Sequence, residues 1–387
     1  MARVRNWQLG REMDYPYEEN RPGRQISMLF DLNKCIACQS CTMACKTTWT
    51  AGKGQETVFW NNVESKPYGF YPLAWDVKVL ALLGENAQPW SGNKYNGTTI
   101  FEDLGMNQRL KGYLPDEMDY AHPNLGEDEC LKILDGEGDY IKGPTHKNWG
   151  FFFPRICNHC TFPGCLAACP RKAIYKRQED GIVLIDASRC RGYRECVAAC
   201  PYKKAFYNDT TRTSDKCISC YPKVEAGLMT QCTTQCIGKI RINGFKSSDY
   251  DQIMGVGKTV RENNPIDFLV HVRKLALPIY PQFGTEPSNM YIPPVHVNPD
   301  FLTQVFGPGV ENSIKQYRNA GKDKELLAAL LLFGVTERIC DTFKLEGNET
   351  VGYDPQGKEI VRVPLTEPVY IRQVKNLKTG AFLTNNS

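Results

Sequence analysis

The residues best able to do chemistry in this chain are cysteines, and they fall into four tight runs. Of 387 residues, 17 are cysteine. The first run, CIACQSCTMAC, sets Cys35, Cys38, Cys41 and Cys45 at C-x2-C-x2-C-x3-C. The second, CNHCTFPGCLAACP, sets Cys157, Cys160, Cys165 and Cys169 at C-x2-C-x4-C-x3-C-P. The third, CRGYRECVAACPYKK, keeps Cys190, Cys196 and Cys200 but has Tyr193 where the spacing calls for its second cysteine. The fourth is split, with Cys217 and Cys220 in CISC and Cys232 and Cys236 in CTTQC. Such clustering points to metal rather than to the spread cysteines of a disulfide framework. Three thiolates on a tight loop can reach three irons of one cubane, and a fourth, entering a helix, points away to the neighbouring cluster.

Runs must therefore pair. The second and third are joined by RKAIYKRQEDGIVLIDASR, read as a helix start, an acidic-Gly turn and the strand IVLI, the link inside a single two-cluster unit. The first and fourth are left for each other. This pairing assigns Cys35, Cys38, Cys41 and Cys236 to one [4Fe-4S] cluster and Cys45, Cys217, Cys220 and Cys232 to its neighbour. Cys157, Cys160, Cys165 and Cys200 form a third [4Fe-4S] set, and Cys169, Cys190 and Cys196 a fourth with only three thiolates. A cubane corner without a thiolate tends to lose its iron, so the last set predicts [3Fe-4S], with Tyr193 capping the vacant corner. An incomplete [4Fe-4S] cluster with a water or other oxygen ligand, or with a phenolate ligand, stays open there. Zinc also uses C-x2-C pairs, but zinc sites lack the triple-plus-one grammar and the C-P endings. Cys130 and Cys340 lie outside every run and read as ordinary thiols.

The elements that must position these runs read as an α+β fold. It is expected to hold two pseudo-symmetric bacterial-ferredoxin-like units of two clusters each, a large irregular insertion, and a C-terminal arm with a helical extension. The boundaries read as an N-terminal arm (1–30), the first cluster run (31–60), the insertion (61–149), the core with the other three runs (150–245), and a C-terminal docking region (246–387). The insertion is rich in Gly, Asn, Pro and aromatics, so a few strands in ordered irregular structure are expected, with a role at a subunit interface. Its aromatic patches are Phe59, Trp60, Tyr68, Phe70, Tyr71 and the FFF at 151–153. Beyond residue 246, Pro and Tyr break any long helix, giving an extended arm. Helical period follows near 299–320 and 322–344, and KEIVRVPL and EPVYIRQV suggest two short strands.

Several function classes are set aside. Lys and Arg number 47 against 43 Asp and Glu, a net charge of +4, too slight for a nucleic-acid binder. The first thirty residues hold no apolar stretch of the secretory kind, so no export signal of the chain's own is expected. The run LLAALLLFGV is about half the roughly 20 residues that span a bilayer. There is no Gly-rich dinucleotide fingerprint and no P-loop. His122, His146, His159, His271 and His296 are scattered, although His159, inside the second run, could tune a cluster by hydrogen bonding or be structural. Lys34, Lys46, Lys172, Arg189, Arg191, Lys203, Lys204 and Lys216 flank the runs and suit anionic clusters. The expectation is an electron carrier with no substrate site of its own.

The stretches DLNKCIACQSCTMACK, RICNHCTFPGCLAACPRKAIYKRQEDGIVLIDASRCRGYRECVAACPYKK and LPIYPQFGTEPSNMYIPP carry a resemblance. The chain resembles the iron–sulfur beta subunits of the dimethyl sulfoxide reductase superfamily, in the branch with respiratory nitrate reductase, where one cluster is [3Fe-4S] and an aromatic matches Tyr193. RNWQLGREMDYPYEENRPGRQ, GKGQETVFWNNVESKPYG and FGPGVENSIKQY are similar, more narrowly, to the beta subunit of nitrite oxidoreductase. Some of those have Asp at the position of Cys45, a departure that forbids carrying cluster potentials across. The resemblance implies an alpha subunit with molybdenum bis-pyranopterin that oxidises nitrite to nitrate, and a gamma subunit with haem b. A membrane anchor or a c-type cytochrome acceptor is a further implied partner, and no nucleic acid. The relay would run from the Cys35 set nearest alpha to the Cys169 set nearest gamma. Related complexes reduce nitrate, perchlorate or selenate, or oxidise ethylbenzene or dimethyl sulfide. A free-standing polyferredoxin is the other alternative, against which the insertion and the arm argue. Export with a partner into a periplasm-like compartment, or residence on the cytoplasmic face of a membrane, is implied in turn.

Overall fold

In the computed structural model, residues 1–67, 71–84, 89–121, 150–366, 371–375 and 382–386 are described. In chain order, β1 (Ala2–Asn6) and β2 (Arg11–Tyr15) form a hairpin, and β3 (Arg24–Asp31) leads into the first run and its helix α1 (Ser40–Trp49). The insertion contributes β4 (Asn62–Lys66) and α2 (Trp75–Leu82), and β5 (Phe151–Arg155) pairs back onto β4 before entering the second run. Then come α3 (Gly164–Ala168), β6 (Ile174–Lys176), β7 (Val183–Ile185), α4 (Glu195–Ala199), β8 (Ala205–Asn208), β9 (Thr213–Lys216), α5 (Tyr221–Glu225), α6 (Gln231–Thr234) and β10 (Arg241–Ser247). The C-terminal part holds β11 (Leu277–Pro278), β12 (Met290–Ile292), α7 (Pro299–Phe306), α8 (Val310–Arg318), α9 (Lys324–Leu331), and the strands β13 (Thr342–Glu346), β14 (Glu349–Tyr353) and β15 (Glu359–Pro364). A last hairpin pairs β16 (Ile371–Lys375) with β17 (Phe382–Asn386).

Strand register is what brings distant cysteines together. β3 and β10 are antiparallel with Phe30 opposite Arg241, so the chain entering Cys35 meets the chain leaving Cys236. Both strands are buried along nearly their whole length, which explains their unalternating sequences RQISMLFD and RINGFKS. The hairpin β6–β7 sets Ile174 opposite Ile185 and draws Cys169 toward Cys190. The hairpin β8–β9 sets Ala205 opposite Lys216 and draws Cys200 toward Cys217. The helix start expected after Cys169 is instead strand β6. Pro170 ends α3, Lys172 takes a left-handed φ of 47°, and the chain turns out to pair with β7.

The stretch read as an extended arm does not lie outside the fold. Residues 275–293 run almost wholly buried through the core, supplying β11 and β12, and β12 completes the central sheet parallel to β3. Tyr291 stacks on Phe30 with centroids 4.7 Å apart. The buried Glu286 is ion-paired with Arg21 of the N-terminal segment. The single helical segment expected near 299–320 is split into α7 and α8 by Gly307-Pro308-Gly309. Gly307 has φ 74°, and a Cβ there would meet Pro281 at 2.8 Å, so the break is required by close packing. The helix expected over 322–344 stops at Leu331, and β13 follows. Of the aromatic patches, Trp60, Phe151 and Phe153 are core and Phe152 is exposed. Cys130, Tyr68, Phe70, His122 and His146 lie outside the described residues. Among the described residues no helix is long and apolar enough to cross a membrane.

Candidate metal centres

The four runs share one backbone device. The residue two places after the first cysteine takes a left-handed conformation in each: Ala37 (φ 54°), His159 (42°), Gly192 (65°) and Ser219 (53°). Left-handed residues in tight turns aim successive backbone N–H groups into one concavity, the arrangement that receives phosphates and iron–sulfur groups. Backbone amides also reach the thiols themselves. Ala173 N–H donates to Cys169 Sγ (3.3 Å) and Lys204 N–H to Cys200 Sγ (3.4 Å), the same four-residue step in both runs. Cys190, Cys217 and Cys220 accept from the backbone of Ser214, Ser219 and Gln231 at 3.3–3.4 Å, and Trp49 Nε1–H donates to Cys220 Sγ at 3.1 Å. Ser214 Oγ lies 3.3 Å from Cys196 Sγ.

Several of the thiols gather around shared cavities. Cys157, Cys160, Cys165 and Cys200 all line one cavity. Cys45, Cys217, Cys220 and Cys232 all line a second, together with Cys157. Cys35, Cys41 and Cys236 are electrostatic neighbours, and Cys38 sits at the exposed rim of that group. Cys169, Cys190 and Cys196 are neighbours likewise. Burial, then the nearby thiols, pushes the Cys45 and Cys160 thiols well up. Burial also raises Cys196 and Cys220, each to about 11. Such groups give up their protons only to a bound cation, which is how a metal-cluster site differs from a reactive thiol.

All sixteen described cysteines are free thiols. Among the described residues no three Cys, His, Asp or Glu side chains stand close enough to hold a single metal ion. Tetrahedral zinc needs its sulfurs within about 2.3 Å of one centre. Thiols spread around the walls of a cavity fit a polynuclear group. Cys340 is buried in the second apolar core, where its thiol donates to Thr342 O (3.2 Å), as an ordinary thiol would.

The four groups also influence one another electrostatically in series. Arg241 is fully buried and adjoins Cys41, Cys232, Cys236 and Cys35, so it stands between the first set and the second. Cys157 lines both cavities and, after burial, is the leading influence on Cys217, joining second to third. Cys200 and Cys196 adjoin, joining third to fourth. Both ends reach the surface. Ile36 and Ile237 are 62% and 65% exposed beside the first set, and Tyr193 is 62% exposed beside the fourth. Tyr193 lines a surface groove with Arg109, Pro170, Arg171 and Glu195.

Of the flanking cations, Lys203, Lys204 and Lys216 are buried, whereas Lys172, Arg189 and Arg191 are solvated. Lys203 Nζ donates to Tyr113 O and Ala198 O, each at 2.7 Å, and burial lowers its pKa to about 7. Lys204 donates to Asn62 Oδ1, and Lys216 to Val183 O and, at 2.7 Å, to Cys217 O. Sequence reasoning missed Arg241. Its Nε and Nη2 have no hydrogen-bond partner among the described residues, and its guanidinium lies 4.9 Å from the centroid of Phe30.

Free thiols gathered in series around amide-lined loops define an iron–sulfur protein of the electron-carrying kind. Known proteins place it further. A family model described as a 4Fe-4S dicluster domain matches residues 148–246, which hold the second, third and fourth runs. The selenate reductase subunit beta of Thauera selenatis is 40% identical, over 75% of this chain and 89% of its own length. The chlorate reductase subunit beta of Ideonella dechloratans is 41% identical over the same shares. The dimethylsulfide dehydrogenase subunit beta of Rhodovulum sulfidophilum is 37% identical, over 80% of this chain and 96% of its own. The chain belongs to the family of these iron–sulfur beta subunits, those of the dimethyl sulfoxide reductase superfamily, and its role is electron transport within an oxidoreductase.

Proposed function

We propose that this chain is the relay subunit of a molybdenum oxidoreductase, carrying electrons through three [4Fe-4S] clusters and one [3Fe-4S] cluster. The observation that carries the reading is the pair of thiol-walled cavities, one lined by Cys157, Cys160, Cys165 and Cys200, the other by Cys45, Cys217, Cys220 and Cys232 with Cys157 shared between them. Cys35, Cys38, Cys41 and Cys236 would hold the first cluster, Cys45, Cys217, Cys220 and Cys232 the second, and Cys157, Cys160, Cys165 and Cys200 the third. Cys169, Cys190 and Cys196 would hold the trinuclear one, at the corner that Tyr193 leaves without a thiolate. The repeated left-handed loops and the matching amide bonds to Cys169 and Cys200 support two pseudo-symmetric two-cluster units. Such clusters pass single electrons without bond rearrangement, at potentials set by charge, hydrogen bonds and exposure. This chain's own part is to hold them in series, with buried cations and amides beside them.

In this reading the domain boundaries stand as docking regions around the 150–245 core. An alpha subunit with molybdenum bis-pyranopterin oxidises nitrite to nitrate next to the Cys35 end, and a gamma subunit with haem b, or a c-type cytochrome, takes electrons at the Tyr193 end. Either a periplasm-like compartment, reached together with a partner, or the cytoplasmic face of a membrane is compatible with this reading. A second reading has its own support. The 40% and 41% identities to beta subunits of selenate and chlorate reductases favour an oxyanion reductase, with the same wire run in reverse.

Iron and sulfide analysis with electron paramagnetic resonance (EPR) tests the cluster reading. About fifteen irons per chain are expected, with a [3Fe-4S] signal in the oxidised protein that vanishes on reduction. An intact preparation with no such signal would count against the trinuclear site. Assay of the purified complex with nitrite, selenate, chlorate and nitrate separates the two substrate readings.

A further inference from the structure

His159 occupies the left-handed position of its run, where the other three runs have Ala37, Gly192 and Ser219. Only here does the strained backbone carry a ring, and that ring lines both the second and the third thiol-walled cavity. Its Nδ1 accepts a hydrogen bond from the Val183 backbone N–H at 3.1 Å. An acceptor nitrogen bears no proton, so in the neutral ring the proton is on Nε2. Yet Nε2 is buried with no hydrogen-bond partner among the described residues. A buried N–H donor is seldom left unmet in a native protein, and backbone strain is kept where function requires it. Small residues serve the equivalent turns, so the turn itself does not need a histidine.

We infer that His159 Nε2–H donates a hydrogen bond to a sulfur of the group held by the second or third thiol set, at the joint of the relay. This rests on reading those sets as iron–sulfur sites. A donor aimed at cluster sulfur favours the more negative, reduced form, so His159 raises the potential of the cluster it touches. It is a positioning residue for the electron and not a ligand.

The experiment uses the whole complex labelled with 15N-histidine. Pulsed EPR of the reduced clusters should show a 15N hyperfine coupling that is lost in His159→Phe. In redox titrations the same variant should shift one or both of the second and third potentials negative at unchanged iron content, while His159→Gln, which keeps an N–H donor, returns them toward the native values. Intact iron and EPR signals with no 15N coupling, or with native potentials in His159→Phe, would overturn the inference. If His159→Phe fails to assemble, the labelled native complex decides, since the coupling must be there. Iron absent from the native complex would instead overturn the cluster reading beneath it.

Discussion

At the scale of single residues, charge without a counter-charge is the feature with the clearest consequence. Burial works against the charge of Arg241, and Cys41, Cys232, Cys236 and Cys35 more than offset it, so the guanidinium is held charged above the ordinary arginine value. It carries no salt bridge to a carboxylate among the described residues, so its field falls on the first and second thiol sets. Removing it as Arg241→Gln should shift the potentials of those two clusters negative in EPR-monitored titration and leave the third and fourth unchanged. Arg241→Lys should keep much of the native value. A uniform shift of all four would point to a general loosening and not to a local charge. The cysteine runs were legible in the sequence because their spacing is local and covalent. Arg241 was not, because its neighbours reach it only through the β3–β10 register. His159 was half legible: its place between Cys157 and Cys160 suggested a tuning role, but the orphaned Nε2 needed Val183 brought across from β7.

At the scale of elements, a buried ionic knot fastens the insertion to the strand that enters the second run. Asp76 of α2 accepts from Lys66 of β4 and from Tyr280 OH, each at 2.5 Å. Glu64 of β4 accepts from Trp75 Nε1 (3.0 Å) and is paired with Arg155 of β5 (3.3 Å) and Lys66 (3.4 Å). Removing one partner of a buried pair costs about 3–5 kcal/mol. Because Glu64 still faces Lys66, Asp76→Asn is expected near the lower end of that range, read by chemical denaturation of the cluster-loaded protein. Burial tends to raise the Asp76 carboxyl's pKa, but Lys66 and Tyr280 outweigh it and hold the pKa below the ordinary aspartate value. A depressed folded pKa gives stability that is fully present above the unfolded value and lost only as pH falls through the folded one. The deficit of Asp76→Asn should therefore stay constant from pH 8 down to pH 5. A deficit that shrinks across that interval would mean the carboxyl titrates there. None of this knot could be seen in the sequence, where Lys66, Asp76 and Arg155 are three charges in an irregular stretch. For the same reason β6 read as a helix start and the Pro-rich 275–293 as an arm: local propensity was right about where helix stops, and tertiary pairing decided what replaced it.

At the scale of the whole molecule, the series of thiol sets has two unlike ends. The fourth set opens beside a groove with Tyr193, Arg109 and Arg171, a polar and cationic face. The first set opens beside Ile36, Met43 and Ile237, large apolar side chains more than half exposed around the exposed Cys38. Apolar residues gathered at a surface mark a contact with another macromolecule, and the centre of such a contact is depleted of charge. The different chemistry of the two ends suits two different partners, one on each side of the wire. Placing a charge in the apolar end should then break one contact and spare the other. Ile36→Glu combined with Ile237→Glu is expected to abolish co-purification with the molybdenum subunit, while iron content and the EPR signals of the chain persist. Met254→Glu combined with Val256→Glu is the control, because those side chains are 48% and 62% exposed away from the cysteines. Retention of the molybdenum subunit by the first variant, or its loss from the second, would move the docking face of the catalytic subunit away from the Cys35 end and reverse the direction in which the relay is read.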